Sequence, residues 1–256
     1  MRGELLLSVS TLLGFFLTLI RVGGVFIFVP IPGITSVLSP ARVILSLGMT
    51  IALFPEWPRI AATPSAGLLF LWIMVEAGLG LGIGLLVAFI SESLGVGAQV
   101  MGLQAGYGFA SVIDPNTQAD SGVLVIFSQL ASGLLFFATG LDREVLRIFA
   151  RSLEVWPAGA FVLTRGGTAQ TLSIGSMMFS TGLRLALPMI AILVMVDISL
   201  ALLGRVNSQL QLLTIAFPVK MMIGLAMLGW LALLFPTLFR SGMSVAFAGV
   251  RGLIGR

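Results

Sequence analysis

An integral membrane protein built from apolar helical segments is the class this sequence predicts. Three observations carry that prediction. Of 256 residues, 58% are hydrophobic and only 9% are charged, where soluble domains carry about 25% charged residues. With a mean hydropathy of +1.12, most of the chain must face lipid or other apolar protein. Uncharged apolar runs recur at Leu5–Ile20, Val43–Phe54, Ile60–Val75, Ala77–Ile90, Val123–Leu141, Leu185–Val196 and Met221–Phe239. Several fall short of the roughly 20 apolar residues a span needs and continue only through a charge, at Arg21, Glu76, Asp197 and Lys220. A simple anchor does not keep such charges, because each costs about 2.5–3.5 kcal/mol at mid-membrane unless paired or wet.

Taken in order, the first run follows Arg2 and Glu4 and flows through Arg21 into a second apolar stretch. It has no A-x-A-like site, so it reads as a retained helix rather than a cleaved signal. Pro30, Pro32 and Pro40 break the chain after it, and Pro55, Pro58 and Pro64 form the next joint. The two runs flanking Glu76 carry Gly78, Gly80, Gly82 and Gly84. Gly78/Gly82 and Gly80/Gly84 are G-x-x-x-G pairs, which on a helix let a neighbouring backbone approach closely. They do not match the G-x-G-x-x-G nucleotide fingerprint, and no strand precedes them. Glycines on several faces imply close-packed partners. After Val123–Leu141 comes the most hydrophilic stretch, Asp142–Arg165, where Arg143, Arg147 and Arg151 form one basic stripe at helical spacing. The last helices, ending near Leu203 and starting near Leu213, are expected to form a hairpin. The positive-inside rule puts the Asp142–Arg165 stretch and the tail (Arg240, Arg251, Arg256) on the cytoplasmic side. No polar linker divides the chain, so residues 1–256 read as one domain.

Several function classes are excluded. The pI of 11.0 reflects few titratable groups, 14 basic against 10 acidic. The Arg residues are scattered, without the clusters that neutralise phosphates, so no nucleic acid is expected. Cys and His are absent, which removes disulfides, thiolate chemistry, His/Cys zinc sites and imidazole catalysis. No catalytic residue, metal or cofactor is expected.

Three features remain. The segment Gln104-Ala105-Gly106-Tyr107-Gly108-Phe109 runs into the turn Asp114-Pro115-Asn116 and on to Asp120. It is either a loop in or near a pore, where irregular backbone at membrane depth survives, or a turn at the membrane surface. In Arg184–Lys220, Asp197 lies 11 residues before Ser208 and Lys220 12 after it. A hairpin turning at Gly204–Gln211 puts the two charges at similar depth, where they pair with each other or with another subunit. Arg21, Glu76, Arg184, Asp197, Arg205 and Lys220 are the expected buried charges. The Met177-Met178 and Met221-Met222 pairs are core filler or an adaptable seal around cargo.

These segments, in this order and over nearly the whole chain, resemble the R-type export-gate family: FliR of flagella and its type III secretion counterparts. The match rests first on Arg21-Val22-Gly23 followed by Pro30, Gly33, Pro40 and Arg42. It continues in Glu76-x-Gly78-x-Gly80-x-Gly82 through Gln104-x-Gly106 to Asp114-Pro115, and ends in Gly204-Arg205-Val206-Asn207-Ser208-Gln209-Leu210-Gln211 with Phe217-Pro218-Val219-Lys220. Family members commonly read Arg-x-x-Pro-Gln-x-Asn in the last segment, where Ser208 and Gln211 stand here. Many also carry Asn-Gly and a His after the helix that ends here at Leu141.

The resemblance implies an all-α fold of membrane-associated helical hairpins packed into a larger helical assembly. Its partners would be P-type and Q-type gate subunits, the FlhB-like autocleaving switch protein, membrane lipid and exported protein substrates. The site would be the bacterial inner membrane, in a flagellar or injectisome basal body and partly raised from the bilayer plane. The family's plug loop maps onto Gly106–Gly122. The function implied is a non-enzymatic share of a channel for unfolded substrates. The rival class, a small-solute secondary transporter, needs internal repeats, and the Gly-rich segment has no second copy. An intramembrane hydrolase would need a Ser–Lys or paired-Asp site, and no Ser stands in the S-x-x-K position before Lys220, the single Lys.

Overall fold

The computed structural model describes residues 8–34, 39–58, 60, 64–107, 122–162, 165–206 and 212–254. Among them are eight α-helices and one 3-10 turn, and no strand. The helices are α1 (Val9–Phe28), α2 (Pro40–Ala52), α3 (Ala66–Ala105), α4 (Val123–Ala138), α5 (Leu141–Val155), α6 (Arg165–Val206), α7 (Leu212–Ala232) and α8 (Phe235–Ile254). The all-helical expectation therefore holds. α1, α3 and α6 are long and apolar enough to cross a membrane, and counting the bent pairs α4–α5 and α7–α8 as one span each raises the number to as many as five.

Charges do not end the helices. α1 passes through Arg21, and α3 joins the runs on either side of Glu76 into one helix of 40 residues. At 1.5 Å per residue that is about 60 Å, twice a bilayer core. Proline does divide one apolar run. Met221–Phe239 is split at Leu233–Leu234, just before Pro236 near the start of α8. Pro236 has no N–H to donate, and its ring would collide with the carbonyl one turn back. The break is closed by two tight bonds, Leu233 N to Trp230 O at 3.2 Å and Leu234 N to Leu231 O at 2.9 Å.

By contacts the chain divides into two compact units. The first comprises Met1–Ala88, Phe136–Ile174 and Met243–Arg256; the second comprises Phe89–Leu135 and Gly175–Gly242.

In the first unit α1 and α2 are joined as a hairpin. Ser8 caps α1, accepting from Thr11 N at 3.2 Å. Ser39 caps α2 in the same way, accepting from Arg42 N at 3.3 Å, with Pro40 opening the helix. Pro suits that position because its missing N–H would have no intrahelical partner there. Arg42 then serves the other helix. Its guanidinium donates to Phe26 O, to Val29 O at 2.9 Å and to Ile34 O at 3.4 Å. It thus places a cation on the orphan carbonyls at the end of α1. At the far end Trp57 donates to Thr50 O at 2.8 Å and packs on Phe15 and Phe54.

α3 crosses α1 at backbone contact. A Cβ at Gly80 would overlap the Arg21 carbonyl, one at Gly84 would lie 2.7 Å from Val25 O, and one at Gly24 2.8 Å from Leu81 N. The second unit repeats the device between α3 and α6. A Cβ at Gly97 would stand 2.9 Å from Gly182 O, and one at Gly182 2.6 Å from Ser93 O. Small residues also seam α3 to α4, where buried Ser132 donates to Ser128 O at 2.8 Å and to Ser91 O at 3.4 Å.

Because Gly80 and Gly84 face backbone while a Cβ at Gly78 meets nothing within 4 Å, the three positions should answer differently to enlargement. Gly80→Leu and Gly84→Leu are expected to lose the folded chain, seen as rapid proteolysis of solubilised protein. Gly78→Leu is expected to keep wild-type protease resistance.

Candidate functional site

One buried cluster ties four segments of the first unit together. Arg21 in α1 and Glu76 in α3 are each 1% exposed. Arg21 Nε donates to Glu76 Oε2, and Nη2 donates to Oε1 at 2.9 Å, a two-pronged ion pair. Nη1 donates to Ser152 O at 2.7 Å and reaches Ser152 Oγ at 3.4 Å, while Nη2 also donates to Trp156 O at 3.0 Å. Those carbonyls lie at the C-terminal end of α5, where a cation offsets the helix's partial negative charge. Glu76 Oε1 accepts a further bond from Gly159 N at 3.0 Å. Gly159 has φ +74°, and a Cβ there would overlap the Trp72 ring, so both conformation and space demand glycine. The planar guanidinium fork suits this geometry as a Lys ammonium would not.

A second site lies in the second unit. Lys220 in α7 meets Asp197 in α6, with Nζ 2.8 Å from Oδ1 and 2.9 Å from Oδ2. The Lys side chain is 15% exposed and the Asp side chain 44%. Pro218 lies inside α7 two residues before Lys220. The same stretch of α7 receives the end of α3. Gly106 has φ +88°, and a Cβ there would stand 3.0 Å from the Phe217 ring. The Tyr107 hydroxyl donates to Met221 O at 2.9 Å. Burial pushes the Tyr107 pKa up, which keeps the phenol a neutral donor. Opposite it, a Cβ at Gly224 would lie 3.1 Å from Ala105 Cβ and 3.5 Å from Tyr107 Cε2.

The other expected site residues are distributed as follows. Gly82 is half-buried and Gly78 exposed. Gly108, Phe109, Asp114, Pro115 and Asp120 lie outside the described residues. Arg184 and Arg205, expected to be buried, are exposed on this chain. Arg205 occupies the last turn of α6, where a cation complements the helix end without burial. Arg184 stands on an outer face beside Leu183 and Leu187, which are 48% and 53% exposed. Arg143, Arg147 and Arg151 form an exposed face of α5, opposite buried Val145, Ile148 and Phe149. Two features escaped sequence reasoning. Gly159 follows Trp156-Pro157, a legible turn, but nothing linked it to a carboxylate 83 residues earlier. Glu92 stands exposed within the long apolar helix α3; a charge inside an apolar segment was signal enough to find it.

An all-helical chain with three to five candidate spans, and with ion pairs set between its apolar helices, is a membrane protein of several spans. A family profile described as "Bacterial export proteins, family 1" matches residues 12–245. The chain belongs to that family. It is similar to the flagellar biosynthetic protein FliR of Escherichia coli (strain K12), 29% identical over 217 residues that cover 84% of this chain and 82% of that protein. The FliR of Pectobacterium carotovorum subsp. carotovorum is 28% identical, covering 76% of each. That of Bacillus subtilis (strain 168) is 22% identical, covering 84% of each.

Removing either member of the Arg21–Glu76 pair leaves a charge buried alone, at a cost of about 3–5 kcal/mol. Arg21→Met and Glu76→Leu should each abolish stable protein. The double variant should recover only part of the loss, because the Gly159 N–H loses its carboxylate acceptor and the Ser152 and Trp156 carbonyls lose the guanidinium. Thermal unfolding in detergent reads all three. For Asp197 and Lys220, which are less enclosed, single Ala changes should cost less, and the exchange Asp197→Lys with Lys220→Asp should outperform either single reversal in the same measurement.

Proposed function

We propose that this chain is the R-type subunit of a flagellar or type III export gate, contributing without catalysis to the channel that passes unfolded proteins across the bacterial inner membrane. The observation that carries the proposal is family membership over residues 12–245, reinforced by relatives named flagellar biosynthetic proteins.

Three physical features support the subunit reading. Helices α3 and α6, at 40 and 42 residues, overrun a bilayer core of about 30 Å, which suits a subunit standing partly outside the bilayer plane. Large apolar side chains are exposed along most helices, with Leu172, Met195, Met222 and Leu233 each 69–76% exposed. Charges on those faces point the same way: Arg184 and Glu92 make no ion pair among the described residues. An unpaired charge on an apolar face is stabilised by an opposite charge on a neighbouring chain or by a wet lumen. P-type and Q-type subunits, with the FlhB-like switch protein nearby, are the proposed neighbours.

The proposed plug is Gly106–Gly122. Its first residues, Gly106 and Tyr107, are seated on Phe217 and Met221. Asp114, Asn116, Gln118 and Asp120 supply polarity that tolerates wetting, and Tyr107 and Phe109 supply rings that fill a narrow lumen.

In a strain lacking its own R-type subunit, this chain is expected to co-purify with the P-type and Q-type subunits and to restore secretion of flagellar or effector substrates. Purification as a lone, active solute carrier would replace the proposal with the transporter reading. Deleting residues 111–119 should leave the complex intact and raise ion or small-solute leak through the membrane. Unchanged leak and unchanged export in an intact complex would reduce the segment to a surface turn.

A further inference from the structure

A glycine sets the end of α3. Gly106 turns through φ +88°. Its N–H donates to Leu103 O at 3.2 Å, and the Tyr107 N–H reaches back to Gly102 O at 3.0 Å. That pair of bonds is the Schellman closure of a helix, with glycine in the left-handed position. It fixes the backbone from which the Tyr107 side chain leaves. The ring then crosses to α7 in the same unit, where the hydroxyl donates to Met221 O at 2.9 Å. A carbonyl has two lone pairs, so Met221 O accepts this bond without giving up a helical one. Filling space alone would not need a tyrosine. The chain uses Phe at 18 positions and Tyr at this one, and what Tyr adds over Phe is the hydroxyl that reaches α7.

The contact straddles the least braced point of α7. Pro218 lies inside that helix and donates no hydrogen bond to the turn before it. Gly106 faces Phe217 on one side of the proline, where a Cβ would stand 3.0 Å from the ring. Tyr107 binds Met221 on the other side. At Gly224, one turn further, a Cβ would lie 3.1 Å from Ala105 Cβ. The end of α3 therefore grips α7 both before and after its proline, while Lys220 ties α7 to Asp197 of α6.

We propose that Tyr107 is a positioning residue of the gate. Its bond to Met221 clasps the end of α3 onto α7 across Pro218, and, with Gly106–Gly122 read as the plug proposed above, the clasp must open before that plug leaves its closed position. One neutral hydrogen bond biases such an equilibrium about fivefold. That is enough to favour the closed clasp and little enough for an entering substrate to overcome.

The complete gate complex is purified with the wild-type chain or with Tyr107→Phe, which keeps the ring and removes the bond. Amide hydrogen exchange is then read by mass spectrometry. Exchange over residues 102–107 and 219–224 should rise about fivefold in the variant, with exchange in α1 and α2 unchanged. In cells, the same variant should raise small-solute leak through the gate. The chain has no cysteine, so a pair introduced at 105 and 224 forms the one disulfide available to it. A disulfide takes a Cβ separation of about 3.5–4.5 Å, close to the 3.1 Å at these positions. Oxidising Ala105→Cys with Gly224→Cys in the Tyr107→Phe chain should return leak to the wild-type level and halt export, and reductant should reverse both. Unchanged exchange over the two stretches would overturn the clasp, as would faster exchange throughout the chain, which would make Tyr107 an ordinary packing residue. Unaltered leak in Tyr107→Phe, where deletion of residues 111–119 does leak, would overturn it and leave the plug standing. If the deletion itself does not leak, the plug reading falls, and exchange alone decides the clasp.

Discussion

Five hydrogen bonds leave the Arg21 guanidinium, and the first unit is organised around what they reach. A cation this buried is tolerable only when its donors are satisfied and its charge is opposed. Glu76 opposes it, and the end of α5 and the turn at Gly159 complete the satisfaction. This requirement fixes α1 against α3 at one register, because Arg21 and Glu76 meet in only one alignment of the two helices. The glycines at 24, 80 and 84 then become necessary, since that alignment brings backbone against backbone. Close crossing and buried charge are one constraint seen from two sides: the glycines permit the approach, and the ion pair selects where it occurs.

The second unit meets the same problem with less enclosure. Asp197 and Lys220 join α6 to α7, and Gly106 and Tyr107 rest on Phe217 and Met221, three residues before that lysine and one after it. Displacing α7 would therefore move Phe217 and Met221, the surfaces on which Gly106 and Tyr107 sit. In a member of a bacterial export family, such a linkage lets packing between α6 and α7 bear on the segment proposed as a plug.

Much of the candidate site was legible because charge in an apolar run is conspicuous. Arg21, Glu76, Asp197 and Lys220 stand out in the sequence for the cost of placing each in an apolar setting, and all four lie in ion pairs here. Arg184 and Arg205 raised the same expectation, yet they lie on outer faces, because sequence shows that a residue is charged and not which way its helix is turned. The boundary between the two units was invisible for a related reason. It falls between Ala88 and Phe89 within α3, between Leu135 and Phe136 within α4, between Ile174 and Gly175 within α6 and between Gly242 and Met243 within α8. Composition reveals a linker only where the chain leaves its helices, and here it does not.

The sequence by itself determined the class of the molecule: apolar helices too long and too sparsely charged for water, with prolines at several of the joints between them and glycines that let them touch. Those are consequences of transfer free energy and local sterics, which act on each residue wherever it lies. Only the tertiary structure decided which glycine meets which carbonyl, that Gly159 completes a carboxylate's shell from 83 residues away, that Arg42 closes the end of a helix other than its own, and that the Tyr107 hydroxyl reaches a carbonyl of α7. Each of these depends on distance between segments remote in sequence. Such distances are set by the simultaneous packing of several helices, and no local pattern records them.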